Sequence, residues 1–384
     1  MATAPYRLSV YSAHPDGDPG AAVTAATGDA ATTGGFAGFR MATGALDPAD
    51  VAGVTERLAG AEGTLAWGWR ARHGNDTHLR TVVMGPGLSD QTLANLVGEL
   101  HTRGQLVTGM RTLSQSFPAV ELALEGDPIP PADLTRQLQG PAETAGVDLA
   151  VLPAAGDRPD WGLLMMDMDS TLLAVECIDE IAEHAGVKDQ VAAITERAMQ
   201  GELDFKGSLV ERVGMLADLP EGVLEEVYNE RIQANPGAKR LLEAARGMGI
   251  RIAVVSGGFT FFTERLEADL GLDFTNANVL EIADGRLTGR VVGEIVDGAV
   301  KAASLRDLRQ RLDLDREQLI AMGDGANDLA MIAEAGLGVA YHAKPRVRAE
   351  APYNLAATSL DGLLYLLGLT DDDIESYRER DRAS

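Results

Sequence analysis

From Trp161 onward, short apolar runs alternate with helical patterns, and the first three runs each stop on a small cluster of Asp, Ser or Gly. Residues 162–166 lead into Asp167-Met168-Asp169-Ser170-Thr171, residues 250–255 into Ser256-Gly257-Gly258, and residues 319–322 into Gly323-Asp324-Gly325-Ala326-Asn327-Asp328. A fourth run covers 338–340, and helical patterns occupy 236–248, 258–270 and 328–335. Apolar strands joined through helices are buried on both faces, so this pattern requires an open parallel α/β sheet whose loops gather at the carboxyl ends of the strands.

Residues 167–249 separate the first two strands, whereas a whole βαβ unit needs roughly 30 residues. The excess predicts an inserted helical cap at about 176–234, with helices at 178–199, 203–219 and 221–233. Residues 277–296 alternate apolar and polar around Asp284-Gly285, which predicts a β-hairpin. A Pro/Gly/Asp cluster at 153–161 marks a domain boundary. Ahead of it, strands at 79–84, 105–113, 119–124 and 147–152 with helices at 89–103 and 131–145 spell a βαββαβ unit of ferredoxin-like type, with Ser89 as a helix N-cap and Gly146 as a C-cap. Residues 1–76, with strands at 6–12 and 64–70 and a helix at 47–58, read as a loose copy of that unit. The tail from 360 reads as a helix ending in a solvated charged run.

The chain has 384 residues, with 33 Lys plus Arg against 58 Asp plus Glu and a net charge of -25. That excess repels nucleic acid and anionic lipid, and a site for a small anion must overcome it with local cations and backbone N–H groups. The single cysteine, Cys177, excludes an intrachain disulfide and a cysteine metal cluster. No apolar stretch reaches membrane-spanning length, so a cytoplasmic protein is expected.

Asp167 and Asp169 follow a strand and are two apart, so their side chains point the same way. Like-directed carboxylates repel unless a cation sits between them or one is protonated. Asp-x-Asp is also common in surface turns, and Gly-Asp-Gly and Asn-Asp are ordinary turn formers. Two such acidic loops at the ends of strands in one sheet nevertheless favour a hard cation with oxygen ligands, of which magnesium is one. Ser256, Gly257 and Gly258 at a helix start supply anion donors, although a serine there also serves as a plain N-cap. Lys301 adds a compact positive charge, although a lone lysine is most often at the surface.

In this order along the chain, Asp-Met-Asp-Ser-Thr, Ser-Gly-Gly, the lone Lys301 and Gly-Asp-Gly-x-Asn-Asp resemble the four signature motifs of the haloacid dehalogenase superfamily. The cap sequences Glu176-Cys177-Ile178-Asp179-Glu180-Ile181 and Phe205-Lys206-x-Ser208-Leu209-x-Glu211-Arg212 further resemble the bacterial phosphoserine phosphatases. The resemblance covers about residues 161–345. The unit at 77–153 is similar in pattern to an ACT domain, from which residues 1–76 depart.

The resemblance implies a Rossmann-like parallel sheet at 160–384 with an inserted cap, preceded by α+β ferredoxin-like ACT-type regulatory domains. It implies hydrolysis of O-phospho-L-serine, the last step of serine biosynthesis, through an aspartyl-phosphate on Asp167, with Asp169 as general acid and then general base. Asp167, Asp169 through its carbonyl, Asp324 and Asp328 would serve Mg2+. Ser256, Gly257, Lys301 and Asn327 would hold the phosphate, Glu176 and Arg212 the amino and carboxylate groups, and Met199 and Phe205 would line the cap. A free amino acid as effector and a homodimer are the expected partners, with neither nucleic acid nor membrane. Two alternatives stand beside this: a capped phosphatase for another small phosphate ester, and an amino-acid sensor that keeps a silent phosphatase fold.

Overall fold

In a computed structural model, the structure describes residues 6–12, 19, 32–36, 39–46, 64–71, 77–157, 159–199 and 204–383. The helix expected at 47–58 lies outside them. The chain divides into two units: residues 1–158 with 356–358 and 362–374, and residues 159–355 with 359–361 and 375–384. Residues 356–358 and 362–374, expected within the phosphatase domain, thus group with the first unit.

In the first unit, β1 (Tyr6–Ser12), β2 (Thr32–Phe36), β3 (Phe39–Leu46) and β4 (Thr64–Ala71) form an antiparallel sheet in the order β2-β3-β1-β4. The next stretch folds as β5 (Thr77–Met84), α1 (Asp90–Thr102), β6 (Gln105–Ser114), β7 (Ala119–Gly126), α2 (Pro131–Ala145) and β8 (Asp148–Pro153). Its sheet runs β6-β7-β5-β8, the same second-third-first-fourth order. Ser89 accepts a hydrogen bond from the Thr92 N–H, and Gly146 ends α2 in the left-handed region at φ 69°. Leu93, Val97, Leu100, Leu134 and Leu138 pack on Val83, Val120, Leu122 and Val151.

The tail segment is held to this unit by buried polar contacts. Arg80 pairs with Glu121 at 3.1 Å and donates to the Leu366 carbonyl at 2.7 Å. The buried Asp148 carboxylate accepts from the N–H of Ala356 (2.7 Å) and Ala357 (3.0 Å) and from the Thr358 hydroxyl (2.7 Å).

The second unit carries β9 (Leu163–Met166), β10 (Arg251–Phe259), β11 (Phe274–Ala283), β12 (Arg286–Val292), β13 (Leu319–Gly323), β14 (Leu337–Tyr341) and β15 (Tyr353–Leu355). They form one sheet in the order β12-β11-β10-β9-β13-β14-β15, with every pairing parallel except β11 with β12. The chain moves from β9 to β10 on one side and later returns to β13 on the other. The carboxyl end of β9 is therefore a topological switch point, the place where open sheets bind ligands.

Four cap helices follow β9: α3 (Cys177–His184), α4 (Lys188–Met199), α5 (Phe205–Gly214) and α6 (Gly222–Arg231). The sequence pattern predicts three, with one helix over 178–199; Gly186, at φ 74°, breaks it in two. The sheet is completed by α7 (Ala238–Gly247), α8 (Thr260–Leu270), α9 (Gly298–Arg311), α10 (Leu329–Glu334) and α11 (Pro345–Glu350). β10 keeps going past its bulge at 256–258, so α8 starts at Thr260 rather than at 258, and Ser256 is not its N-cap.

Hydrogen bonds tie the cap to the sheet at its root and along β12. Where it leaves and rejoins, Ala174 donates to Gln233, and the Asn235 amide donates to the carbonyls of Thr171 (2.8 Å) and Leu173 (2.9 Å). Its loop at 218–221 lies along β12, with Asp218 N–H to the Leu287 carbonyl and Leu287 N–H to the Leu219 carbonyl, each at 2.9 Å. The charged tail is not merely solvated as expected: Arg246 grips Asp381 through two 2.9 Å bonds and Arg378 pairs with Glu243 at 2.7 Å. Among the described residues no helix is long and apolar enough to cross a membrane.

Replacing Asp148 by Ala would strand two backbone N–H groups and a hydroxyl that the carboxylate now satisfies. Since hydrogen bonds to charged groups are worth roughly 1.5–3 kcal/mol each and only part of this is lost where water can enter, a destabilisation of about 3 kcal/mol is expected. A shift in the denaturant midpoint of the full chain measures it, and a change under about 0.5 kcal/mol would show the contacts to be incidental.

Candidate active site

Asp167 stands at the end of the central strand, and its carboxylate accepts the Met168 N–H at 2.7 Å. The turn that follows contains Ser170 at φ 57°, a left-handed position that costs a non-glycine residue energy and must be held by its surroundings. Asn235 holds it from outside, and its own side chains reach in two directions. Ser170 Oγ donates to Glu176 at 2.8 Å, and Thr171 Oγ1 donates to Asp324 at 3.0 Å. Asp169 accepts the Cys177 N–H at 3.3 Å at the start of α3. Asn278 fixes the anion loop from below, donating to the Gly257 carbonyl at 2.8 Å while accepting from Val296 N–H.

Lys301 is fully buried, contrary to the usual place of a lone lysine, with its ammonium 2.7 Å from Asp167 Oδ2 and 2.7 Å from Asp328 Oδ1. Burial works against its charge; the two carboxylates outweigh that and hold its proton more tightly than usual. The other oxygen of Asp328 accepts Gly325 N–H at 2.9 Å. Asp167, Asp324 and Asp328 each present an oxygen within 4.8 Å of the others. Desolvation first, then the like charge of Asp328, raises Asp167 well above the ordinary carboxylate range, and the same two causes push Asp324 up to about 7. Asp169 is raised to about 7 by desolvation and by Glu176. Three crowded carboxylates against one ammonium leave surplus negative charge, and an all-oxygen donor set of this kind fits a hard divalent cation.

A cavity of about 130 Å³ opens over these groups. It brings together Asp167, Asp169, Glu176, Phe205, Arg212, Ser256, Gly257, Gly258, Asp324 and Asn327, all expected from the sequence, and adds Ile178, Leu209 and Phe259. Lys301 and Asp328 lie beneath it as partners of Asp167. The side chain of Met199 lies outside the described residues. Phe205 roofs the anion loop so closely that a Cβ at Gly257 would come within 2.7 Å of its ring. Arg212 has its Nε buried with no hydrogen-bond partner, and it forms no ion pair among the described residues. Burial and the neighbouring Asp169 push the Cys177 thiol up, which leaves it an inert part of the cap core. Asn235 and Asn278 act by hydrogen bonds across long stretches of sequence, and no local signal marks them; Thr171 closes the first acidic motif, which does not show that its hydroxyl reaches Asp324.

An aspartate pair at a switch point, a buried lysine beneath it and a helical cap above define a capped α/β hydrolase. The haloacid dehalogenase-like hydrolase family matches residues 164–333. A phosphoserine phosphatase of Streptomyces coelicolor is 44% identical over 296 residues, 77% of this chain and 71% of that protein. One of Polaromonas is 52% identical over 213 residues, 54% of this chain and 90% of that protein. The unliganded crystal structure of a probable phosphoserine phosphatase from Vibrio cholerae superposes with a TM-score of 0.61 at 35% identity, covering 79% of this chain and 89% of that one. The chain belongs to the phosphoserine phosphatase family of the haloacid dehalogenase-like hydrolases.

The raised Asp324 has a consequence for stability. Its folded value of about 7 lies above the 3.8 of the free carboxyl, so the folded state holds a proton that the unfolded state has released. Its contribution is present at low pH and is lost as pH rises through about 7. With metal chelated, Asp324→Asn should therefore gain thermal midpoint over the parent between pH 5 and pH 8, by at least about 3 °C. A difference independent of pH across that range would contradict the crowding described here.

Proposed function

We propose that this protein hydrolyses O-phospho-L-serine to L-serine and phosphate, the closing step of serine synthesis, through an aspartyl-phosphate on Asp167. The observation that carries the reading is the pairing of charges around one small cavity: a lysine-backed aspartate at its floor and, at its wall, the carboxylate of Glu176 with the guanidinium of Arg212, whose buried Nε has no partner among the described residues. The floor suits a phosphoryl group and the wall suits an amino acid.

Asp167 attacks phosphorus, with Lys301 and the N–H groups around Ser256 and Gly257 taking up the negative charge of the phosphoryl oxygens. Asp169, with its value near 7, holds the proton that the departing serine oxygen needs. Once serine has left, the same carboxylate takes a proton from the water that cleaves the aspartyl-phosphate. Asn327 orients the phosphate, Phe205 excludes bulk water, and Arg212 reads the carboxylate while Glu176 reads the ammonium.

Asp167, Asp324 and the backbone carbonyl of Asp169 would hold Mg2+, with Asp328 supporting them. When bound, the ion neutralises phosphate charge and relieves the crowding of the carboxylates. Residues 77–153, with 1–76 as a divergent copy, act as an ACT-type regulatory region that takes a free amino acid and favours a homodimer, and the protein works in the cytoplasm.

Asp167→Asn should abolish phosphate release while leaving the thermal midpoint close to that of the parent. In the parent, acid quench during turnover should trap phosphate on Asp167 alone. Phosphate trapped on a serine or histidine would redirect the mechanism. Arg212→Lys should lower kcat/KM for phosphoserine roughly ten- to a hundredfold, because an ammonium cannot reproduce the bidentate fork. A phosphate ester without a carboxylate should change less than about threefold. Equal losses on both substrates would assign Arg212 to cap structure and remove the case for an amino-acid substrate.

A further inference from the structure

Lys301 rides on the first turn of α9, and the residue that starts that helix is shared with the cap. Asp297 is its N-cap: one carboxylate oxygen accepts the N–H groups of Ala299 and Val300, both at 3.0 Å. The other oxygen lies 3.0 Å from Lys206 Nζ on α5. Lys206 follows Phe205, whose ring rests on Gly257, and the same helix carries Leu209 and Arg212 on the cavity wall. Gly298 closes the arrangement from below, since a Cβ there would approach the Asn327 carbonyl oxygen to 2.6 Å. One carboxylate thus joins the helix bearing Arg212 to the helix bearing Lys301.

Lys206 does not line the cavity and its side chain is 48% exposed, so it touches neither substrate nor reacting atoms. An exposed pair of this kind is weak, which suits a contact that must break and reform in every turnover to release serine and admit water. We propose that Lys206 is a positioning residue for the reaction: through Asp297 it holds α5 over the strand-end loops and so sets the fraction of molecules whose cap is closed. The proposal rests on the phosphoserine reading for its kinetic readout only. Apparent affinity scales with the closed fraction, so loss of the contact is felt in KM more than in kcat.

The test is a double-mutant cycle in the full chain, with phosphoserine turnover at low ionic strength. Asn is as good an N-cap as Asp, so Asp297→Asn removes the charge and keeps the helix start; Asp297→Ser serves if the Asn variant loses thermal midpoint. Lys206→Met and Asp297→Asn should each lower kcat/KM about two- to fivefold, mainly through KM, and the double variant should be no worse than either single one. Salt at about 1 M should weaken the parent more than the double variant, by about that same factor. Independently of any substrate, amide hydrogen exchange across 205–214 should quicken equally in both single variants. If Lys206→Met lowers kcat/KM while Asp297→Asn raises it, Lys206 merely attracts the anionic substrate and the proposal fails. Additive losses, or unchanged exchange in α5, overturn it as well. A parent that does not turn over phosphoserine would sink the functional reading, and the exchange measurement would still decide the role of Lys206.

Discussion

A buried ammonium dictates much of the catalytic unit. Lys301 has no exposed surface, and taking such a charge out of water costs several kcal/mol unless carboxylates meet it at close range. Asp167 and Asp328 do so, and they lie in the segments that follow β9 and β13, strands that are neighbours only because the sheet reverses its order there. Remove the ammonium, and three crowded carboxylates face each other without a counter-charge; remove the carboxylates, and the helix that Leu305 and Leu308 pack against the sheet would bury an uncompensated charge. The net charge of -25 makes the point sharper, because an anion must be drawn to this site against the field of the chain as a whole, by a cation held close to it.

The skeleton of this arrangement was legible in the sequence because it is written in contiguous stretches. Apolar runs ending on acids and glycines located β9, β10 and β13, and Asp284-Gly285 located the hairpin, where both residues take positive φ. Helix α2 fell on its expected bounds because Gly146 stops it. What escaped has a physical reason in each case. β15 is three residues long and pairs only at an edge of the sheet, too short to leave a pattern. The break at Gly186 is a single residue inside an otherwise helical period. The contacts of Thr171, Asn235 and Asn278 depend on residues tens of positions away, which periodicity does not reveal. The tail was misjudged because Arg246, Arg378 and Asp381 look solvated until the fold brings them together.

The first unit carries a parallel lesson. Two sheets of unlike sequence share one strand order, and the shared order is stronger support for an internal repeat than the composition of residues 1–76, which is too rich in Ala, Thr and Gly to hold a clear period. Topology outlasts side-chain pattern because main-chain pairing does not depend on side-chain identity.

The meeting of Phe205 with Gly257 has a bearing on how such a protein changes over time. Floor and roof meet there so closely that a larger residue at 257 would press on the tip of the Phe205 ring, which would have to shift. Drift at that position requires the ring to give way. The aliphatic walls, Ile178 and Leu209, carry no such restriction, since trading one apolar side chain for another of similar volume is usually cheap. New substrate preferences in descendants of this chain would therefore arise along the walls, while the floor and the ring above it stay as they are.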